Sequence, residues 1–269
     1  MKMSIQKSPI EHPQFSTHKN YLSYMRRASD GLLLNCANNI TSKIPITENA
    51  LKKVKLIKLT IGSMRSEYQT IIRDYPDYAA VCVSWIPVKS YYVIFNLIVI
   101  LEYLLGGNEK VLTTSHSNSS NVLKNLLSKK ELTFNLDEFN EVVSVAEIEK
   151  LKVPKFENLK TGVEYRKAQI LRKLADYSRD ELKRKSKSKR LSKTDMERFR
   201  RSNLSLFEFF YWYRIKVNYR DLEFISDEVT PEEFQQFYED YYLLTANFYK
   251  AFKNCINELS QKRTGVDLL

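Results

Sequence analysis

Residues 88–105 of this chain read Val-Lys-Ser-Tyr-Tyr-Val-Ile-Phe-Asn-Leu-Ile-Val-Ile-Leu-Glu-Tyr-Leu-Leu. Apolar side chains would cover nearly the whole circumference of a helix formed by this stretch, and such a helix is usually central in a bundle. Pro87 suits its first turn, and Gly106-Gly107-Asn108 suits its end. A buried core helix is favoured over a membrane span, because four polar residues interrupt the run: Lys89, Ser90, Asn96 and Glu102.

The rest of the sequence predicts further long helices. The 269 residues contain 6 Gly and 7 Pro, and long runs free of both favour helices over many-stranded sheets. Helical spacing of apolar residues predicts helices at about 16–35, after a cap at Thr47, and at about 121–127, 136–150, 162–186, 192–219 and 230–259. Residues 78–86 fit a short helix or a strand, and we expect the tail after Ser260 to fray.

These helices predict an all-α protein with one helical bundle and a basic helical arm inserted before the last two helices. Residues 1–154 would supply the N-terminal bundle helices, including the helix at 88–105. Residues 155–193 would form the basic arm or insertion, and residues 194–269 would supply the two long helices that complete the same bundle.

The positive charge of the chain is concentrated in one segment. The net charge is +11, and residues 166–201 hold 15 Lys/Arg and 5 Asp/Glu. A concentrated basic block indicates either a polyanion-binding surface or a solvated, salt-bridged helix face. Nucleic-acid contact would need only clustered cations, and the candidates are Lys183, Arg184, Lys185, Lys187, Lys189, Arg190, Arg198, Arg200 and Arg201.

The cysteines and histidines indicate neither a disulfide framework nor a metal site. Cys36, Cys82 and Cys255 are scattered and odd in number, which is typical of reduced core cysteines in the cytoplasm. No metal-ligand spacing and no cofactor motif occurs, so we predict no metal and no cofactor. Residues 1–15 are polar and contain no apolar signal core, so we expect a cytoplasmic protein that does not bind membranes.

Three motifs, in order along the chain, carry a resemblance to a known family. They are Ser90-Tyr91-Tyr92-Val93-Ile94-Phe95-Asn96, then Thr114-Ser115-His116-Ser117, then Tyr213-Arg214 with Asn218-Tyr219-Arg220-Asp221 ahead of Thr230-Pro231-Glu232-Glu233. In this order they resemble the HEPN domain family. The resemblance implies a four- to five-helix bundle that tends to form dimers. Many members of the family act on RNA in bacterial conflict systems, others pair with a small nucleotidyltransferase, and others have no catalytic role. An antitoxin is the partner expected if the chain is instead a protein-interaction module.

The ribonuclease chemistry of that family is absent from this chain in its usual form. Ribonuclease members pair an Arg with a His four to six residues later, because cleavage without a metal needs an acid/base group and a cation on the phosphate. No Arg precedes His12, His18 or His116 at that spacing. Arg214 has Tyr219 at the matching place, and a tyrosine is a poor base near neutral pH.

Three functional alternatives therefore stay open. The chain is an RNA-associated module that lacks the nuclease chemistry, a divergent metal-independent endoribonuclease using Arg214 and Tyr219, or a protein-interaction module. The third alternative draws on the aromatic run 207–213, of which we expect part to be exposed or covered by a partner. Tyr91, Tyr92 and Phe95 would pack in the core, or else line a dimer seam or a pocket.

Overall fold

A computed structural model describes residues 13–35, 42–73, 77–113, 116–152, 163–186, 190–219 and 229–269, and the chain is predominantly helical over them. Its α-helices are α1 Pro13–Arg26, α2 Glu48–Arg73, α3 Tyr78–Cys82, α4 Ile86–Gly106, α5 His116–Ser128, α6 Val145–Ile148, α7 Val163–Lys185, α8 Lys193–Arg200, α9 Glu208–Tyr219 and α10 Pro231–Thr264. Four short strands form two antiparallel pairs: β1 Leu32–Leu34 with β2 Leu132–Phe134, and β3 Val143–Ser144 with β4 Asn203–Leu204. The prediction of an all-α bundle is confirmed.

Helix α4 is the centre of the bundle. It packs against α2, α5, α9 and α10, and nearly every side chain along it is buried. By length and hydropathy it is the one helix in the described part of the chain that could cross a membrane, but 78% of its most apolar window is buried inside the fold. The prediction that residues 88–105 form a core helix is confirmed.

Three of the four polar residues of α4 have specific partners, whereas Asn96 Oδ1 and Glu102 Oε2 are buried without a hydrogen-bond partner among the described residues. The hydroxyl groups of Thr245 and Ser90 share a hydrogen bond of 2.7 Å, and the Thr245 hydroxyl also lies 2.8 Å from the Tyr241 carbonyl, so these buried polar groups have partners. Asn96 Nδ2 donates to the Tyr92 carbonyl of the preceding turn at 2.7 Å. Lys89 forms an ion pair with Glu67 of α2. Each partner lowers the cost of placing a polar group in an apolar helix.

A buried arginine fastens the C-terminal end of α4. The last carbonyls of a helix have no partner within it, and Arg263 of α10 donates from Nε to the Leu104 carbonyl at 2.8 Å. Its Nη1 donates to the Ser42 carbonyl at 2.7 Å. The chain leaves α4 at Gly107 with a left-handed φ of 69°, a conformation that glycine adopts without strain. Arg263 therefore ties α10, the end of α4 and the segment before α2 together.

Helix α10 begins where the sequence predicted and ends later. Thr230 and Glu233 form a capping box, with Pro231 in the first turn. The helix continues to Thr264, so the predicted end near 259 and the frayed tail are wrong. The reason is that Leu268 and Leu269 are buried in the core, and Asn257 exchanges two hydrogen bonds of 2.9 Å with the backbone of Leu269.

Strand pairing interrupts two of the predicted helices near the middle of the bundle. The helix predicted at 16–35 ends at Arg26, and Leu32–Leu34 pairs with Leu132–Phe134 instead. The helix predicted at 136–150 is replaced by a 3-10 turn at Asp137–Phe139, a strand at Val143–Ser144 and the short α6. Local spacing of apolar residues cannot reveal a partner strand about a hundred residues away.

The second strand pair also divides the last predicted helical region. The helix predicted at 192–219 is two helices, α8 and α9, because Asn203–Leu204 pairs with Val143–Ser144 between them. Other predictions hold: α7 matches 162–186, Thr47 Oγ1 accepts from the Ala50 N–H of α2, and residues 78–86 contain the short helix α3. The apolar face of α7 joins the same hydrophobic core as α4 and α10.

Replacing Arg263 with Met should destabilise the fold. The substitution keeps an apolar stem but removes every hydrogen bond to the carbonyls of Leu104 and Ser42. A buried carbonyl without a partner costs about 1–3 kcal/mol, so we expect a loss of about 2–4 kcal/mol in the free energy of unfolding measured by urea denaturation.

Lys262→Met is the matched control, because it changes the neighbouring residue of the same helix. Lys262 forms a surface pair with Glu258, which is worth about 0.3–0.5 kcal/mol. Equal losses in the two variants would contradict the role given to Arg263.

Candidate functional site

Three consecutive cations of the basic segment, two exposed and one half-buried, lie at the C-terminal end of α7. Lys183, Arg184 and Lys185 occupy the last turn of the helix, where the negative end of the helix dipole favours positive charge. They face two carboxylates: Lys183 pairs with Asp180 at 3.4 Å, and Arg184 and Lys185 pair with Glu181 at 2.8 and 3.5 Å. Three cations against two carboxylates leave this turn with an excess positive charge.

Within this turn, Arg184 is the structural partner of Glu181. Two guanidinium nitrogens of Arg184 donate to the two carboxylate oxygens of Glu181, at 3.1 and 2.8 Å. The hydrogen bond and charge of Arg184 lower the pKa of Glu181. Neither Lys183 nor Lys185 makes a bidentate contact of this kind, so their charges can be removed with less effect on the helix end. The cluster thus contains one cation that holds the helix end and two that are available to a ligand.

Helix α8 extends the positive surface. It begins at a capping box of Ser192 and Asp195 and is anchored by the buried Phe199. Arg198 and Arg201 are exposed and form no ion pair within the described part of the chain, whereas Arg200 pairs with Glu149 at 3.0 Å. Of the candidate contacts, Arg198 and Arg201 therefore offer their whole charge to a ligand.

The structure describes most, not all, of the candidate cations. Lys187 and Lys189 lie outside the described residues. Arg190 is exposed, and its carbonyl accepts from Ser186 Oγ at 2.8 Å. Lys193, which sequence reasoning did not select, is also exposed in the first turn of α8. Lys193 could have been identified from its position among the clustered cations in the sequence.

Earlier cations of the basic segment serve the fold instead. Arg172 donates from Nη2 to the carbonyls of Glu149 and Leu151, both at 2.8 Å. Lys167 is bonded to Glu141, and Arg179 pairs with Asp176 at 2.5 Å. The charge of residues 166–201 is therefore divided, with structural pairs in the first part of α7 and the less constrained cations at its end and on α8.

Arg214 lies against three tyrosine rings. Its guanidinium carbon is 4.5 Å from the ring centroid of Tyr91, 5.5 Å from that of Tyr211 and 5.8 Å from that of Tyr92. These distances are those of cation–π contacts. Its Nε atom is buried and has no hydrogen-bond partner within the described residues. The arrangement joins α9 to α4 and makes Arg214 a packing residue in this conformation.

The second residue of the predicted pair cannot be placed beside Arg214. The side chains of Tyr219, His18 and His116 lie outside the described part of the structure, and His12 and Asp221 lie outside the described residues altogether. The structure therefore brings Arg214 together with Tyr91, Tyr92 and Tyr211, not with an acid/base group. The aromatic motif of α4 singles out Tyr91 and Tyr92 in the sequence, but nothing in that motif indicates that Arg214 contacts them.

The expected exposure of the aromatic run 207–213 is wrong for most of its side chains. Phe207, Phe209, Phe210, Trp212 and Tyr213 are buried, and Tyr211 is half-buried. The chain itself covers them, because α9 lies among α4, α7 and α10. Ring contacts join Tyr213 to Tyr177 of α7 at 5.9 Å and Phe210 to Phe248 of α10 at 5.6 Å. An exposed aromatic docking helix is therefore not present at this place.

A small cavity lies beside the Tyr91 and Tyr211 side chains, but it is too small for an organic ligand. Tyr91, Phe95 and Glu208 contribute to its lining, and its volume is about 30 Å³. That volume corresponds to about one water molecule, of about 30 Å³ in the liquid. Lys124 pairs with Glu208 at 3.0 Å beside it. Tyr91 and Phe95 are buried, as predicted for core residues.

Other reactive groups give no catalytic site in the described part of the chain. No group of three or more His, Cys, Asp or Glu side chains that could hold a metal is found there. Burial raises the pKa of the Cys255 thiol to about 11 and also raises that of Cys82. Both thiols are buried and unpaired with another cysteine, and Cys36 lies outside the described residues.

Arg214→Ala should act on stability more than on RNA binding. Loss of the three cation–π contacts should lower the free energy of unfolding by about 1–2 kcal/mol, measured by urea denaturation. Affinity for a short single-stranded RNA should change less than twofold, measured by fluorescence anisotropy.

Arg201→Ala is the control for this prediction, since its exposed side chain should leave the free energy of unfolding nearly unchanged. An Arg214→Ala protein of normal stability that no longer binds RNA would contradict the packing role of Arg214.

Comparison of this chain with protein-family models, with curated proteins and with solved structures found no match. The resemblance to the HEPN family therefore depends on the three short motifs and their order.

Proposed function

We propose that this chain is a HEPN-like helical module that associates with RNA through its basic arm. The binding surface would be the last turn of α7 together with α8, and the Arg–His ribonuclease pair would play no part. Contact with the phosphate backbone would supply most of the affinity, so binding would depend little on base sequence.

The observation that supports this proposal most is the distribution of charge along the arm. The cations in the first part of α7 are used in structural contacts, whereas Lys183, Lys185, Arg198 and Arg201 project at the surface. A polyanion can contact such cations without disturbing the core, since Arg184 would still hold Glu181. A purely structural basic face would not need Arg198 of α8 and the adjacent Arg201, which form no ion pair among the described residues.

The alternative of a divergent metal-independent ribonuclease has weaker support. Arg214 would have to leave the rings of Tyr91, Tyr92 and Tyr211 to contact a scissile phosphate. No described acid/base side chain stands beside it. We therefore propose a binding function in preference to a catalytic one. A homodimer and a nucleotidyltransferase or antitoxin partner remain predictions from the sequence.

Neutralising the arm should weaken RNA binding. The test variant carries Lys183→Gln, Lys185→Gln, Arg198→Gln and Arg201→Gln, and it keeps Arg184 so that Glu181 stays paired. We expect affinity for a fluorescein-labelled single-stranded RNA to fall at least about tenfold, and the slope of log affinity against log salt to fall by up to about 3.

The matched control removes the same charge from α2 through Lys52→Gln, Lys55→Gln, Arg65→Gln and Arg73→Gln, all at exposed positions. It should bind RNA nearly as well as the unaltered protein, because only the position of the lost charge differs. Salt-insensitive binding, or an equal loss in both variants, would overturn the proposal.

A further inference from the structure

A recess between α2 and α4 lies on a surface that the RNA proposal does not use. Its lining comprises Leu56, Leu59, Thr60, Ser63, Lys89 and Tyr92, and its volume is about 380 Å³. The lining is mostly apolar. Leu56 and Leu59 are 44% and 61% exposed, and no described part of the chain covers them. Large side chains this exposed, side by side at a recess, mark an interaction site.

One exposed aromatic side chain lies beyond the recess on α4. The Lys89 N–H bonds to the Trp85 carbonyl one turn earlier, so Trp85 and Lys89 share a face of the helix. Trp85 is 58% exposed and does not line the recess. A partner helix long enough to pass over Lys89 would also contact this tryptophan, and aromatic anchors of this kind carry much of the energy in interfaces.

One end of the recess is polar, because Lys89 lies there and one of its N–H donors has no partner among the described residues. Lys89 has three N–H donors, and its described partners are Glu67 and Ser63 Oγ. Glu67 also accepts from the Tyr238 hydroxyl at 2.7 Å and from Ser63 Oγ at 3.1 Å. The Glu67 carboxylate is thus shared among three donors, and the remaining Lys89 donor favours an acidic group on a partner.

More positive charge stands at the opposite end of the recess. Lys53 lies one turn before Leu56 on α2, with its ammonium 5.4 Å from the ring centroid of Phe95. Lys52 is exposed and shares only a surface ion pair with Glu48. Arg214 approaches the Tyr92 ring at 5.8 Å. An apolar recess is thus bordered by cations at both ends.

We propose that this recess docks the apolar face of an amphipathic helix from a partner protein, with acidic side chains flanking that face. Two helices form its walls, so a third helix can pack into the groove between them. Acidic flanks would meet Lys89 at one end and Lys53 at the other.

Two other occupants fit less well. A second copy of the chain would bring the same lysines towards one another, and like charges across an interface are unfavourable. A lipid surface is flat on this scale and would leave the recess unfilled, although it would contact Trp85. Charge and shape together favour an acidic helix.

The test selects peptides from a displayed library of amphipathic helices against the full-length protein and compares two double variants. Leu56→Ser with Leu59→Ser removes the apolar wall. Leu51→Ser with Ile72→Ser is the matched control, because these residues are on the same helix, are 50% and 45% exposed and do not line the recess. Circular dichroism and thermal unfolding should be unchanged in both.

We expect the selected peptides to be enriched in Asp and Glu, and to bind the recess variant at least about tenfold more weakly, as expected for two lost leucine contacts. They should bind the control variant like the unaltered protein. Peptides enriched in Lys or Arg, or equal binding to both variants, would overturn the proposal. So would a dimer, or binding to anionic phosphatidylserine vesicles, that is lost only in the recess variant.

The two proposals fail independently. The recess variants keep every arm cation, and the arm variants keep Leu56 and Leu59. Loss of RNA binding in the arm variant therefore tests the first proposal, while peptide binding in the recess variant tests the second.

Discussion

Burial of most of the circumference of α4 is the constraint on which the fold depends. A helix this apolar must be largely covered, so α2, α5, α9 and α10 are arranged around it. The polar groups within α4 then need partners from those same helices. Ser90 finds Thr245 on α10, and Lys89 finds Glu67 on α2. Apolar burial stabilises the bundle, and the polar pairs give its helices a defined register.

Two arginines connect other elements to this central helix in different ways. Arg263 satisfies carbonyl groups at its C-terminal end, and Arg214 lies over tyrosine rings near its N-terminal end. Both positions explain why a basic residue occurs in or beside a core without serving as a ligand site. Neither arginine belongs to the basic segment, and the proposed function is based on a separation within residues 166–201 between cations held in structural contacts and cations at the surface.

The sequence predicts the long helices well, since α2, α4, α7 and α10 each repeat their apolar residues at helical spacing over many turns. It does not predict the strands, because Leu32–Leu34 fits a helical stripe as well as a strand and its partner is far along the chain. The contact of Arg214 with the three tyrosine rings is not predicted either, since Tyr91 and Arg214 are far apart in the chain. Burial of the aromatic run depended on three helices packing around α9, which composition cannot show.

In the proposed function, RNA contacts the basic arm and not the cluster formed by Arg214 with Tyr91, Tyr92 and Tyr211. Photocrosslinking of the full-length protein to single-stranded RNA containing a photoreactive uridine, with mapping of the crosslinked peptides, tests it most directly. The account predicts crosslinks within 183–201 and none on the peptides that contain Tyr91 or Tyr211. Crosslinks at Tyr91, Tyr92 or Tyr211 with none in the arm would contradict it and would indicate that Arg214 belongs to the RNA-binding site.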